Sequence, residues 1–138
     1  MTNLIIRLNL FICLIVSLVM VSCLDNQIQQ FIHEFNADYA GEKIDNMTIL
    51  KAEIYEENII VSFQINNITF GYNAQEMADE FAESDMCALV AAVILEAFEE
   101  EGIDICNTNY NIILRYYDST NESIDIIYEN RDLKSFYE

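Results

Sequence analysis

Leu10 to Val21 is a run of twelve residues, apolar except for Ser17. It ends at Cys23, and the chain then turns polar at Asp25 and Asn26. This boundary decides how much of the chain is free to build a water-soluble core. As a helix the run extends about 18 Å, well short of a hydrocarbon layer of about 30 Å. Reaching back to Leu4 gives spanning length only by taking in Arg7 and Asn9. Length and flanks therefore suit the apolar region of a signal peptide, with Arg7 as its weak positive start. Residues 1–22 are expected to be that signal, and residues 23–138 a single acidic domain. A domain of that length buries a real core without staples.

The seam reads Met20-Val21-Ser22-Cys23. It resembles the lipobox of bacterial lipoproteins, in which cleavage precedes the cysteine and a lipid is attached to its thiol. The resemblance implies that Cys23 is the lipid-attachment residue and that the membrane is reached through lipid. Met20 departs from the commoner leucine. Leu24, with aspartate only one place later, favours the periplasmic side of the outer membrane in the cell envelope. Two alternatives stay open. An ordinary signal peptidase would give a soluble secreted protein. A eukaryotic origin would make use of three glycosylation sequons, at Asn46, Asn67 and Asn121.

Charge narrows the partners. All 24 acidic residues follow Cys23, and against the five cations there they leave −19. Such a surface repels nucleic acid and anionic lipid headgroups and attracts basic partners at long range. The alternative reading is solubility alone.

Apolar spacing marks the elements. Ile28, Phe31, Ile32 and Phe35 make a helical stripe over Gln27 to Phe35, with Asp25 or Asn26 able to cap it. Met47 to Tyr55 and Ile59 to Asn66 alternate as a hairpin, with Leu50, Ala52 and Ile54 inward on the first strand. Asn73-Ala74-Gln75-Glu76 has capping-box spacing. The segment MCALVAAVIL is apolar nearly all round. It should be a central buried helix, restarted at Ser84-Asp85 and closed by Gly102. Asn111 to Tyr117 and Ser123 to Glu129 form a second hairpin around DSTNE. The expected fold is α+β: a two-layer α-β-β-α-β-β order, with a four-stranded antiparallel sheet and its helices on one face. The hairpin, the cysteine-bearing helix and the YYD strand are also similar to those of small bacterial envelope proteins. That likeness implies no activity. Secretion-system pilotins are similar in general type only.

Four candidate features follow. Cys87 and Cys106 are an even pair outside the cytosol, so a disulfide is expected, with two buried free thiols as the alternative. Glu96, Glu99, Glu100, Glu101 and Asp104 crowd a helix C-terminus, where the macrodipole disfavours anions. They are candidate contacts for a basic protein, against the alternative of a solvated helix end. Tyr55, Arg115 and Tyr117, on the solvent face of the sheet, are residue types favoured as interface anchors, though cross-strand pairing explains them equally well. His33 is the only histidine and reads as a solvated or partner-contacting side chain. No cofactor, metal set or nucleophile motif stands out. The reading is a lipid-anchored, non-enzymatic module that binds a protein, in an inhibitor, immunity or secretion-assembly role. The alternative enzyme is a glycan hydrolase built on paired carboxylates.

Overall fold

Helix that continues straight through the expected cap position sets the character of the fold. The computed structural model describes residues 2–137, with the side chains of residues 2, 17–22 and 137 outside that description. The Met20-Val21-Ser22 part of the seam falls among the latter. Helix α1 runs unbroken from Thr2 to Tyr39. Asp25 and Asn26 therefore do not cap a new helix, as the sequence had suggested. Without proline or glycine in this stretch, nothing forces the backbone out of the helix. Each Asp or Asn disfavours a helix interior by under about 0.7 kcal/mol. Among the described residues, no helix is long and apolar enough to cross a membrane.

The second half of α1 packs on the domain. Ile28 and Ile32 are buried, and Leu24, Phe31 and Phe35 lean on the core. This is the predicted stripe with Leu24 added, one turn earlier. The first half, including Leu4 to Val16, is exposed.

Five strands follow: β1 (Lys43–Ile44), β2 (Met47–Tyr55), β3 (Asn58–Ile65), β4 (Asn111–Tyr117) and β5 (Ser123–Tyr128). They form one sheet in the order β1-β2-β3-β4-β5. The expected four-stranded antiparallel sheet is corrected on two points. A short edge strand, β1, is added, and β3 pairs with β4 in parallel, Asn58 opposite Asn111 and Gln64 opposite Tyr117. The reason is the connection. Between β3 and β4 the chain forms α2 (Ala74–Ala82) and α3 (Asp85–Glu100). Such a helical crossover returns the chain to the end at which β3 began, as parallel pairing requires. The two hairpins, β2–β3 and β4–β5, are antiparallel as read from their alternation.

Strand β2 carries a bulge between Ile49 and Lys51. Ile49 faces the core and Leu50 is exposed, the reverse of simple alternation. One extra residue moves everything before it to the other face. The outer edge of β2 is sealed by side chain and loop. Asn36 of α1 donates its amide to the Ala52 carbonyl at 2.8 Å and accepts from the Ala52 N–H at 2.7 Å. Gly41 and Glu42 bond both polar groups of Ile49 at 2.7 and 2.8 Å. An otherwise open edge, prone to pairing with another chain, is thereby occupied.

Asn73 makes no side-chain cap to α2, which instead grows out of a short 3₁₀ turn. Ser84 does cap α3, accepting from the Met86 N–H at 3.2 Å. At the other end Gly102 takes φ +77°. Ile103 N–H reaches Phe98 O and Gly102 N–H reaches Glu99 O, the paired bonds of a Schellman close. Contrary to the expectation of all-round burial, α3 has two faces. Cys87, Ala91, Ile94, Leu95 and Phe98 are buried, whereas Met86, Leu89 and Val93 are 56–60 % exposed. After β5 come the short helix α4 (Asn130–Leu133), with Leu133 fully buried, and a 3₁₀ turn over Lys134–Tyr137.

Candidate functional site

The helix layer leaves an open groove of about 400 Å³. Its floor comes from three places. Phe31, Phe35 and Tyr39 recur every fourth residue along α1, Val93, Ile94 and Ala97 come from α3, and Ile44 and Ile49 come from the sheet edge. Tilted ring contacts hold the α1 wall, with Phe31 against Phe98 at 4.0 Å and Phe35 against Tyr39 at 5.2 Å between centroids. Around this apolar floor stand Glu34, Asp38 and Glu42 on one side and Glu100 and Glu101 on the other. All five carboxylates are exposed, and no lysine or arginine lines the groove. Apolar area flanked by one sign of charge favours an amphipathic, basic ligand over any other.

The acidic group expected from the sequence is divided by the fold. Glu100 and Glu101 rim the groove. Glu96 and Glu99 line a separate shallow cleft with Ala92, Leu95 and Phe136. Asp104 is structural, its carboxylate accepting from the Cys106 N–H at 3.1 Å and from the Asn107 amide. Helical geometry accounts for this split: Glu100 and Glu101 lie three and four residues after the groove residue Ala97, whereas Glu96 and Glu99 lie four after Ala92 and Leu95, which face the other cleft. Glu34, Asp38 and Glu42 were missed by the sequence reading. Glu34 and Asp38 are spaced four apart beside Phe31 and Phe35, which was the available signal.

Tyr55, Arg115 and Tyr117 lie on the sheet face away from the helices, so they do not join the groove. Arg115 is already engaged. It donates to both carboxylate oxygens of Asp125, its cross-strand partner, at 2.8 and 3.0 Å. That hydrogen-bonded ion pair holds the guanidinium charged, its pKa raised still further above the usual range. Tyr55 is exposed and Tyr117 half-buried. Their row positions differ, Tyr55 pairing with Asn58 and Tyr117 with Ser123.

The two domain cysteines stay separate as buried thiols, in place of the expected bridge. Cys87, in the first turn of α3, donates to the Tyr116 hydroxyl at 3.5 Å. Burial pushes its thiol up, only partly offset by that bond. Cys106 sits beyond the far end of the helix, and burial, then Asp104 and Glu99, push its thiol up. Neither is a reactive thiolate. His33 is exposed, beside a surface recess with Gln29 and Asn36. Among the described residues, no group of three or more His, Cys, Asp or Glu side chains is placed to hold a metal.

Cys23 is exposed in the middle of α1. The folded domain begins immediately after it. Leu24 is half-buried against the core, the Asp25 carboxylate accepts from the Tyr110 hydroxyl at 2.9 Å, and Ile28 is fully buried. The stretch LDNQIQQ is thus part of the fold and not a tether. The chain matches no family model, no curated protein and no solved structure.

Proposed function

We propose that this chain is an envelope lipoprotein, anchored through Cys23, whose domain is a non-enzymatic module that binds a basic protein in the groove between α1 and α3. The observation that carries this reading is the apolar floor ringed by five exposed carboxylates without a lining cation. The lipobox-like Met20-Val21-Ser22-Cys23 supports the anchor. On this reading the groove residues Phe31 to Tyr39 stand about 12–24 Å along α1 from the lipid, at 1.5 Å per residue. With no slack chain between, the groove is held at a set height above the bilayer.

Glycan hydrolysis is less well supported. A general acid must stay protonated at neutral pH, which takes burial in an apolar setting. All five groove carboxylates are exposed to water. Two measurements test the proposal. Intact mass of the native protein should match a chain beginning at acylated Cys23. Crosslinking to envelope proteins at low salt should yield a basic partner, lost at high salt and lost when Glu34, Asp38, Glu100 and Glu101 are reversed to lysine. The same crosslinks from the reversed protein would remove the groove from the proposal.

A further inference from the structure

The groove does not end at its carboxylates. Val93 lines it, and from Val93 the exposed apolar row on α3 continues through Leu89 to Met86. The spacings are four and three, one helical stripe on the solvent side of a helix whose opposite side fills the core. From Met86 to Ala97 this stripe is about 17 Å long, three helical turns. The long exposed side chains Met86, Leu89 and Val93 are separate from the residues that hold the domain together. At one end of the stripe stand Glu100 and Glu101, with Glu34 and Asp38 across the groove.

We infer that the segment of the partner seated here is an amphipathic helix, its apolar face on Met86, Leu89, Val93 and Ala97 and its cationic flanks toward Glu34, Asp38, Glu100 and Glu101. This rests on the binding reading above and adds the conformation of the ligand. Two observations select a helix, and a third excludes a second copy of the chain. Apolar side chains repeat at helical spacing on both helices, Phe31-Phe35-Tyr39 along the groove on α1 and, on α3, the exposed row Met86-Leu89-Val93 that enters the groove at Val93. A ridge of that spacing packs a second helix at an axial distance of about 8–10 Å. Addition of a strand at this side of the sheet is blocked, because β1, the Gly41–Glu42 loop and Asn36 already occupy the β2 edge. Self-association through the same stripe is opposed by charge, since each domain carries −19 after Cys23 and the rims of two copies would meet like to like.

The test uses the detergent-solubilised native protein and synthetic Leu/Lys peptides of about five helical turns, with leucines at i, i+3, i+4 and i+7. Each peptide carries one photoreactive residue, either on the leucine face or opposite it. A scrambled peptide of equal composition is the control. The expected result is labelling of the segment Met86 to Ala97 from the leucine-face probe only. The scrambled peptide should label at least tenfold less, and so should the Leu89→Lys and Val93→Lys proteins, whose exposed positions leave the core untouched. The micelle background is common to all three proteins. Equal labelling from both faces, or from the scrambled peptide, overturns the helix while leaving a charge-reading groove intact. No labelling at this segment overturns the helix as well, and the lysine reversals above then judge the groove on their own. A dimer of the protein alone that dissociates in Leu89→Lys also overturns the inference, the stripe being then a self-interface.

Discussion

Asn36 offers the sharpest check on how the groove is built, because one side chain ties its α1 wall to the sheet. Its amide holds both polar groups of Ala52, at 2.8 and 2.7 Å. Asn36→Ala removes two hydrogen bonds of about 1 kcal/mol net each. It also strands the Ala52 N–H and C=O, on a residue only 3 % exposed. An unpaired buried group costs about 1–3 kcal/mol, at the low end here because the site lies at a sheet edge that water can enter once α1 shifts. The sum expected is a loss of about 2–4 kcal/mol. With a urea m-value of about 1.5 kcal/mol per M, the unfolding midpoint falls by roughly 1–3 M. Asn36→Asp separates hydrogen bonding from packing. Ionised, it still accepts from the Ala52 N–H but turns an oxygen anion toward the Ala52 carbonyl. Protonated, it donates as the amide does. Its folded-state pKa should therefore lie above the ordinary value of about 3.9. The stability it recovers is complete below that value and is lost as pH rises through the folded one. The assay is urea unfolding by circular dichroism in mild detergent, from neutral pH down to about pH 3.5, for wild type and both variants. The gap between wild type and Asn36→Asp should close on acidification, while the gap to Asn36→Ala should not. A midpoint for Asn36→Ala within about 0.3 M of wild type would refute the clamp.

Two further outcomes are expected. Asp118 is fully inaccessible, and burial alone would raise its carboxyl. Bonds from the Phe70, Thr120 and Glu122 N–H groups and the Thr120 hydroxyl outweigh this and hold it below the usual range. Its stabilisation is thus present above the ordinary carboxylate value and lost as pH falls through the lower folded value, so wild type should lose stability below about pH 4 more steeply than Asp118→Asn. For the thiols, alkylation at about pH 8 followed by mass mapping should leave Cys87 and Cys106 unmodified in the native protein. Both should react once denatured without reductant; labelling that needs reductant would mean the bridge forms after all.

Much of the layout was legible in the sequence. The strands Met47–Tyr55 and Asn111–Tyr117 came directly from period-two alternation, because a strand with one wet face writes its orientation into every second residue. The stripe on α1 was equally plain, as were Ser84 as a helix start and Gly102 as a stop. Each is a local signal, carried by residues within one or two turns of each other. The bulge at Leu50 was not readable, since Ile49 and Leu50 are both apolar and either could face inward. The candidate site was half legible. Five acidic residues near Glu100 could be seen, but not which of them shared a face with anything.

What the sequence by itself determined is therefore local: element type, the ends of α3 at Ser84 and Gly102, the burial stripe of α1 and the strong negative charge. What only the tertiary structure decided is relational. Parallel pairing of β3 with β4 depends on where a long crossover returns. The continuity of α1 past Asp25 depends on the absence of any breaker strong enough to end it, and on Leu24 and Asp25 finding partners in the fold. The groove depends on two helices far apart in sequence lying side by side, so that Glu34 and Asp38 of one face Glu100 and Glu101 of the other. The physical reason is the range of the forces. Hydrogen-bonded periodicity acts within a few residues, whereas core packing and charge act between whichever surfaces the folded chain brings together. An apolar helix such as MCALVAAVIL states that it will be buried against something. Its own core covers one face, while the other, Met86-Leu89-Val93, stays exposed.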